Sequence, residues 1–270
     1  MGCTGPAVDI SGNWVERGAR FGHFTKGVIY GLVGALALAA ALGSGGQVGG
    51  GQEAARFVGH QPFGQLLLAL IGLGLSGYAV WRVIEGIKDT EHKGRDGKGL
   101  AKRLVAVGSG LVNAALAVAV FQMALGQASS GGGAKSWVGK ILNEPFGAVL
   151  VAAIGVGIVV AGLFQFYQAY TKKFLKTFKL REMSSRERRW VTRMGQVGYS
   201  ARGVVFPIVG VGLLRAALAR DASQTRGTRE ALLEVARSDS GQILLSLVAL
   251  GFLAFGLFMV ASARYRSVPT

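Results

Sequence analysis

The chain of 270 residues has a single cysteine, Cys3, which excludes an internal disulfide and a thiolate metal cluster. Its three histidines, His23, His60 and His92, share no ligand spacing, and no metal site is expected. Charge is scarce, at 16% against about 25% in an average soluble domain. It is also one-sided, since 30 Lys and Arg face 14 Asp and Glu. Six stretches carry no charge at all: 28–42, 63–81, 104–125, 146–168, 203–214 and 242–263. No acid inside them means no buried carboxylate of the kind that coupled carriers use, and no acid/base pair for hydrolysis. Ser76, Ser109 and Ser246 have no neighbouring His–acid set, and no loop carries a phosphate-binding glycine pattern. The expectation is a protein that is not an enzyme, with no catalytic residues and no cofactor.

What is present is apolar. Half of the residues are hydrophobic, mean hydropathy is +0.40, and there are 43 glycines. That mixture suits closely packed membrane helices. A helix needs about 20 apolar residues to span a bilayer. Six segments qualify, near 21–43, 63–84, 104–126, 146–168, 197–218 and 241–263. The first has the basic flank and small-residue end of a signal peptide, but it is one copy of a repeat, so it reads as a retained span. Of the 30 Lys and Arg, 21 fall on the side of the chain termini and eight on the other, with Arg202 left over. The positive-inside rule places both termini in the cytoplasm. The excess of positive charge then faces anionic lipid, which is expected as the partner in place of nucleic acid. The expected location is a bacterial inner membrane.

Prolines are few, five in all, and two of them head the same tripeptide. "PFGQLLLALIGLG" begins at Pro62 and "PFGAVLVAAIGVG" at Pro145, with Gly72 and Gly74 answered by Gly155 and Gly157. Gly27, Gly110 and Gly203 fall into one register when "RFGHFTKGVIYG", "RLVAVGSGLVNA" and "QVGYSARGVVFP" are aligned. The third copy replaces PFG by Asp239-Ser240-Gly241 and keeps Gly251 opposite Gly74. The chain is therefore three units of helix, glycine-rich outer loop, short amphipathic piece and helix. Residues 1–270 read as one membrane domain, with repeats at 17–84, 102–168 and 193–264 and a basic cytoplasmic linker at 169–192. Two-span units keep one orientation, so a pseudo-threefold arrangement about the membrane normal follows. In the corner formed by Pro62, Phe63 and Gly64, and again by Pro145, Phe146 and Gly147, proline should start the helix, phenylalanine anchor at the interface and glycine permit close approach. Rows such as Gly27, Gly31, Ala35 and Ala39 should lie at helix contacts. Pro207 should kink the fifth span.

The pattern Arg-x-Gly-aromatic-x-x-basic-Gly with a following aromatic, carried by "RFGHFTKGVIY" and "GYSARGVVF" together with PFG, resembles the bacterial DUF1206 membrane proteins over residues 15–265. The resemblance implies a six-span inner-membrane protein with no assigned activity and no catalytic residues to carry over. The middle copy departs from it at Ala106, Ser109 and Asn113.

Candidate functional residues are basic or amide. Arg202 and Arg215 are 13 residues apart, about 20 Å along a helix, so one of them lies inside a hydrocarbon core of about 30 Å. Lys26 is the register mate of Arg202. Three readings stay open for the pair: snorkelling to phosphates, ion pairing with Glu85 or Glu16, or an anion or lipid-headgroup site with His23 and Tyr199 beside it. Asn113 and Gln122 in the third span are polar near mid-membrane, either for an interhelical hydrogen bond or to line a pore. The linker, with Phe174, Leu175, Phe178 and Leu180 among basic residues, reads as a surface helix on anionic lipid, and Ser184 or Ser185 as the cap of the next helix. The function these features favour is a membrane scaffold or lipid-interacting protein; the alternative is a pore or carrier for a small or anionic solute along the threefold axis.

Overall fold

A computed structural model describes residues 10–46, 48–88, 96–127 and 133–266, and the side chains of most of them. Cys3, His92, Lys93 and Arg95 lie outside this set. The described residues form six long helices: α1 (Ile10–Ala41), α3 (Gly64–Lys88), α4 (Gly97–Ala124), α6 (Gly147–Thr171), α7 (Ser185–Ala219) and α9 (Gly241–Tyr265). Each is long and apolar enough to cross a membrane. Three short ones, α2 (Gly51–Gly59), α5 (Gly133–Leu142) and α8 (Thr228–Ala236), fill the outer loops. They pack on the ends of the long helices, with Ala54, Ala55, Val58, Val138, Leu232 and Val235 buried beneath them. Phe57 and Trp137 remain exposed.

The three corners share a glycine and its hydrogen bond but not one backbone turn, since Ser240 has φ of −105°, and the first two differ from the expected corner. The helices begin on Gly64 and Gly147, not on proline. Phe63 and Phe146 are left-handed, with φ of 61° and 63°, and stand 82% and 85% exposed. The constraint sits on the glycine. A Cβ there would run into the carbonyl of Gly59 or Ile141, and at Gly241 into that of Ala236. Gly64, Gly147 and Gly241 donate in turn to the carbonyls of Gln61, Glu144 and Ser238. The third copy keeps the one residue that the turn cannot replace, which explains how it dispenses with Pro and Phe.

Between units, packing is alike at all three junctions: α3 with α4, α6 with α7, and α9 with α1. The aligned glycines make these junctions. A Cβ on Gly27 would meet Gly256 and Val260, one on Gly110 would meet Ala79 and Val83, and one on Gly203 the ring of Phe166. Val83, Phe166 and Val260 occupy one register position, so the same contact is built three times. Gly27 and Gly31 therefore lie at a contact with α9, where lipid supplies no hydrophobic drive, whereas Ala35 of the expected row is exposed. α7 continues through Pro207, whose ring lies against Gly162 of α6.

Within units the packing is not alike. α1 packs on α3 and α7 on α9, whereas α4 and α6 are not packed together. Only 22% of the α6 span is buried, against 56% of α9. The six helices thus run α4, α3, α1, α9, α7, α6 around an arc whose two ends belong to the middle unit.

The basic linker does not form a surface helix. It makes two 3-10 turns, Lys173–Thr177 and Leu180–Glu182, and tucks Phe174, Phe178 and Met183 under the bundle. Phe174 packs on Tyr199 and Phe258, and its ring occupies the space beside Gly195. The aromatics bury more surface in a cleft between helices than on a headgroup plane, so the apolar side faces protein. Phe178 also bridges to Arg266. Ser184 caps α7 as expected, in a reciprocal box with Glu187.

Candidate functional site

The cluster is built on register positions of α1 and α7. The ammonium of Lys26 lies 4.2 Å from the ring centre of Tyr78 on α3 and 5.8 Å from that of Tyr30. The guanidinium of Arg202 lies 4.4 Å from Phe255 on α9, 4.6 Å from Phe206 and 5.5 Å from Tyr30. Tyr78 and Phe255 are register mates, as are Lys26 and Arg202, so one cation–ring pair occurs twice. Tyr30 joins them, because both cations rest against its ring. Gly22 and Gly198 make the approach possible: a Cβ on either would fall 2.5 to 2.8 Å from atoms of Tyr78 or Phe255, backbone included.

His23 and Tyr199, the other expected members, are mates on the same two helices and flank the cations. His23 is buried, its Nδ1 is 2.7 Å from the Ala19 carbonyl, and its ring lies against Tyr78 and Trp81. Its Nε2 has no hydrogen-bond partner among the described residues. Tyr199 stacks on Phe174 and meets Phe255 and Phe258 edge-on. The ion-pair reading fails for both cations. Glu16 pairs with Arg20 at 2.7 Å and Glu85 with Arg82 at 2.6 Å. Among the described residues no carboxylate pairs with Lys26 or Arg202. Arg202 Nε is buried without a partner. Arg215, by contrast, is exposed near the far end of α7.

Three residues that the charge-free stretches left aside complete the site. Glu85 is 1% exposed and lies inside the second span, so the expectation of no buried carboxylate does not hold: the charge-free stretch ends at Trp81, but the span continues to Ile87. Arg82 lies beside it, and the guanidinium of Arg266 sits 5.1 Å from the ring of Trp81. For Arg82 and Glu85 the signal was their position one to two turns beyond Tyr78 on α3; Arg266, just past the end of α9, gave none.

Asn113 and Gln122 do not come together. They are nine residues apart, half a turn out of phase. Asn113 is buried and donates to the Ser109 carbonyl of its own helix. Gln122 is half-buried towards the other end of α4. Among the described residues no group of three His, Cys, Asp or Glu side chains is placed to hold a metal.

Comparison with known proteins gives the same three units. The profile described as Domain of Unknown Function (DUF1206) matches residues 21–89, 104–172 and 197–266. The chain belongs to the DUF1206 family. It is also similar to Uncharacterized protein YxxB of Bacillus subtilis (strain 168), with 32% identity over 253 residues, covering 94% of this chain and 92% of that protein. No solved structure matches. This DUF1206 chain is a multi-pass membrane protein with six apolar helices.

Proposed function

We propose that this protein is a non-enzymatic component of a bacterial plasma membrane, with both termini cytoplasmic, that holds the anionic group of a lipid at Lys26 and Arg202. The observation that carries the reading is Arg202 itself, a half-buried guanidinium within a span that rests on three rings and meets no acid among the described residues. A cation–ring contact contributes about 2 kcal/mol when desolvated. Taking a cation out of water costs several. An anion reaching Lys26 and Arg202 together supplies the missing balance. The excess of cations on the terminal side favours an orientation towards anionic lipid. The solute-pore alternative leans on Asn113, and its amide is turned back onto Ser109, which favours the lipid reading.

The test is native mass spectrometry of the protein released from vesicles of phosphatidylglycerol and phosphatidylcholine. The wild type is expected to retain phosphatidylglycerol preferentially. A Lys26→Gln/Arg202→Gln variant is expected to lose the preference while still folding. Equal retention of both lipids by the wild type would remove the proposal.

A further inference from the structure

The helices around Lys26 and Arg202 are closed on one side of the bundle and open on the other. Phe255 and Arg264 on α9 are nine residues apart, hence on opposite faces. Arg264 lines a groove of about 650 Å³ with Phe24, Trp190 and Val260 on one flank. Phe255 faces away from it, and Arg202 and Tyr30 with it. Lys26, Tyr30, Arg202 and Phe206 are all half-exposed on this second side, although α1, α3, α7 and α9 pack closely in sequence around the arc. The one unit whose two long helices do not pack together, among the described residues, is the middle one, α4 and α6.

Register places that gap at the depth of the cations. Gly22, Lys26 and Tyr78 adjoin in the first unit, and their mates in the middle unit are Val105, Ser109 and Ala161. The third pair of mates is as telling. Gly74 is filled against Thr25, and Gly251 against Ala201, but Gly157 and Gly108 have nothing within 4 Å of where a Cβ would be. Val105 and Val112 on α4 are 56% and 70% exposed, and Val160 and Phe164 on α6 are exposed as well. The corresponding faces of the other two units are largely buried.

We infer that the α4–α6 gap is a lateral port for one anionic phospholipid, whose acyl chain lies between the two helices and whose phosphate reaches Lys26 and Arg202. The inference rests on the function proposed above and adds the route and the ligand class. The walls of the port are Val, Gly, Ala and Phe within the spans, an apolar slot that opens sideways to hydrocarbon. A free phosphate has no polar path along it. Branched and aromatic side chains alternate with the glycines there, so the walls suit a flexible chain rather than the close backbone approach of another helix. Lys172 and Lys173, exposed at the basic end of α6, add charge of the sign that draws an anionic headgroup to its mouth.

The full-length protein in vesicles with phosphatidylglycerol that carries a diazirine in its acyl chain provides the test. Illumination is expected to label peptides spanning 105–112 and 157–164 several-fold more than 66–73 of α3, which is also lipid-exposed. A phosphatidylcholine probe should show no such excess. Gly157→Phe adds bulk where nothing stands within 4 Å, and should abolish the excess without lowering the melting temperature. Even labelling of α3, α4 and α6 overturns the port. So does an unchanged pattern in Gly157→Phe; if Arg202→Gln then still loses the phosphatidylglycerol preference, the headgroup site survives and only the route is wrong. Displacement of the probe by millimolar inorganic phosphate identifies a free anion as the ligand and overturns the lipid assignment.

Discussion

The outer two units and the middle one have the same helices, corners and between-unit contacts, yet two are closed and one is open. The difference lies in a few matched positions. In the closed units a glycine on the first helix, Gly22 or Gly198, receives the backbone of an aromatic on the second, Tyr78 or Phe255. In the middle unit these positions hold Val105 and Ala161, and no cation follows, since Ser109 stands where Lys26 and Arg202 do. The interface and the cation site are absent together because one aromatic serves both: its backbone makes the helix contact and its ring receives the cation.

That comparison can be broken first at the glycine. Gly22→Leu forces a side chain into the backbone of Tyr78, which cannot yield, and is expected to cost about 3 kcal/mol or more through overpacking. Val105→Leu, its counterpart on an exposed face, should stay within about 0.5 kcal/mol. Thermal unfolding in detergent reads both, and equal losses would mean that α4 and α6 do pack. The second contrast is electrostatic. Glu85→Ala removes a fully buried partner from Arg82 and should cost about 3 kcal/mol, whereas Gln168→Ala, at the same register position of the middle unit, should be near neutral; stepwise SDS unfolding measures the pair. The smallest effect is a reversal of sign. Gly157→Ala improves helix propensity in open space and should stabilise by about 0.5 kcal/mol, while Gly74→Ala must displace Thr25 and should destabilise. The same melting experiment decides it.

Much of this could be read from the chain. The six spans, three short outer helices, the cap at Ser184 and the equivalence of Lys26 with Arg202 all follow from hydropathy and spacing. The linker could not be read correctly, because Phe174 and Phe178 are amphipathically spaced for either lipid or protein and only the cleft beside Gly195 chooses. Tyr30 gave no signal as the residue joining two cations, since it lies 172 positions from Arg202 in sequence.

The sequence by itself determined how many helices there are and how the units repeat, because those depend on local hydropathy and on the shared register of Gly27, Gly110 and Gly203. Only the tertiary structure decided which faces meet. Whether a valine and an alanine close a unit as a glycine and a tyrosine do depends on volumes summed across two helices, and that sum leaves α4 and α6 apart.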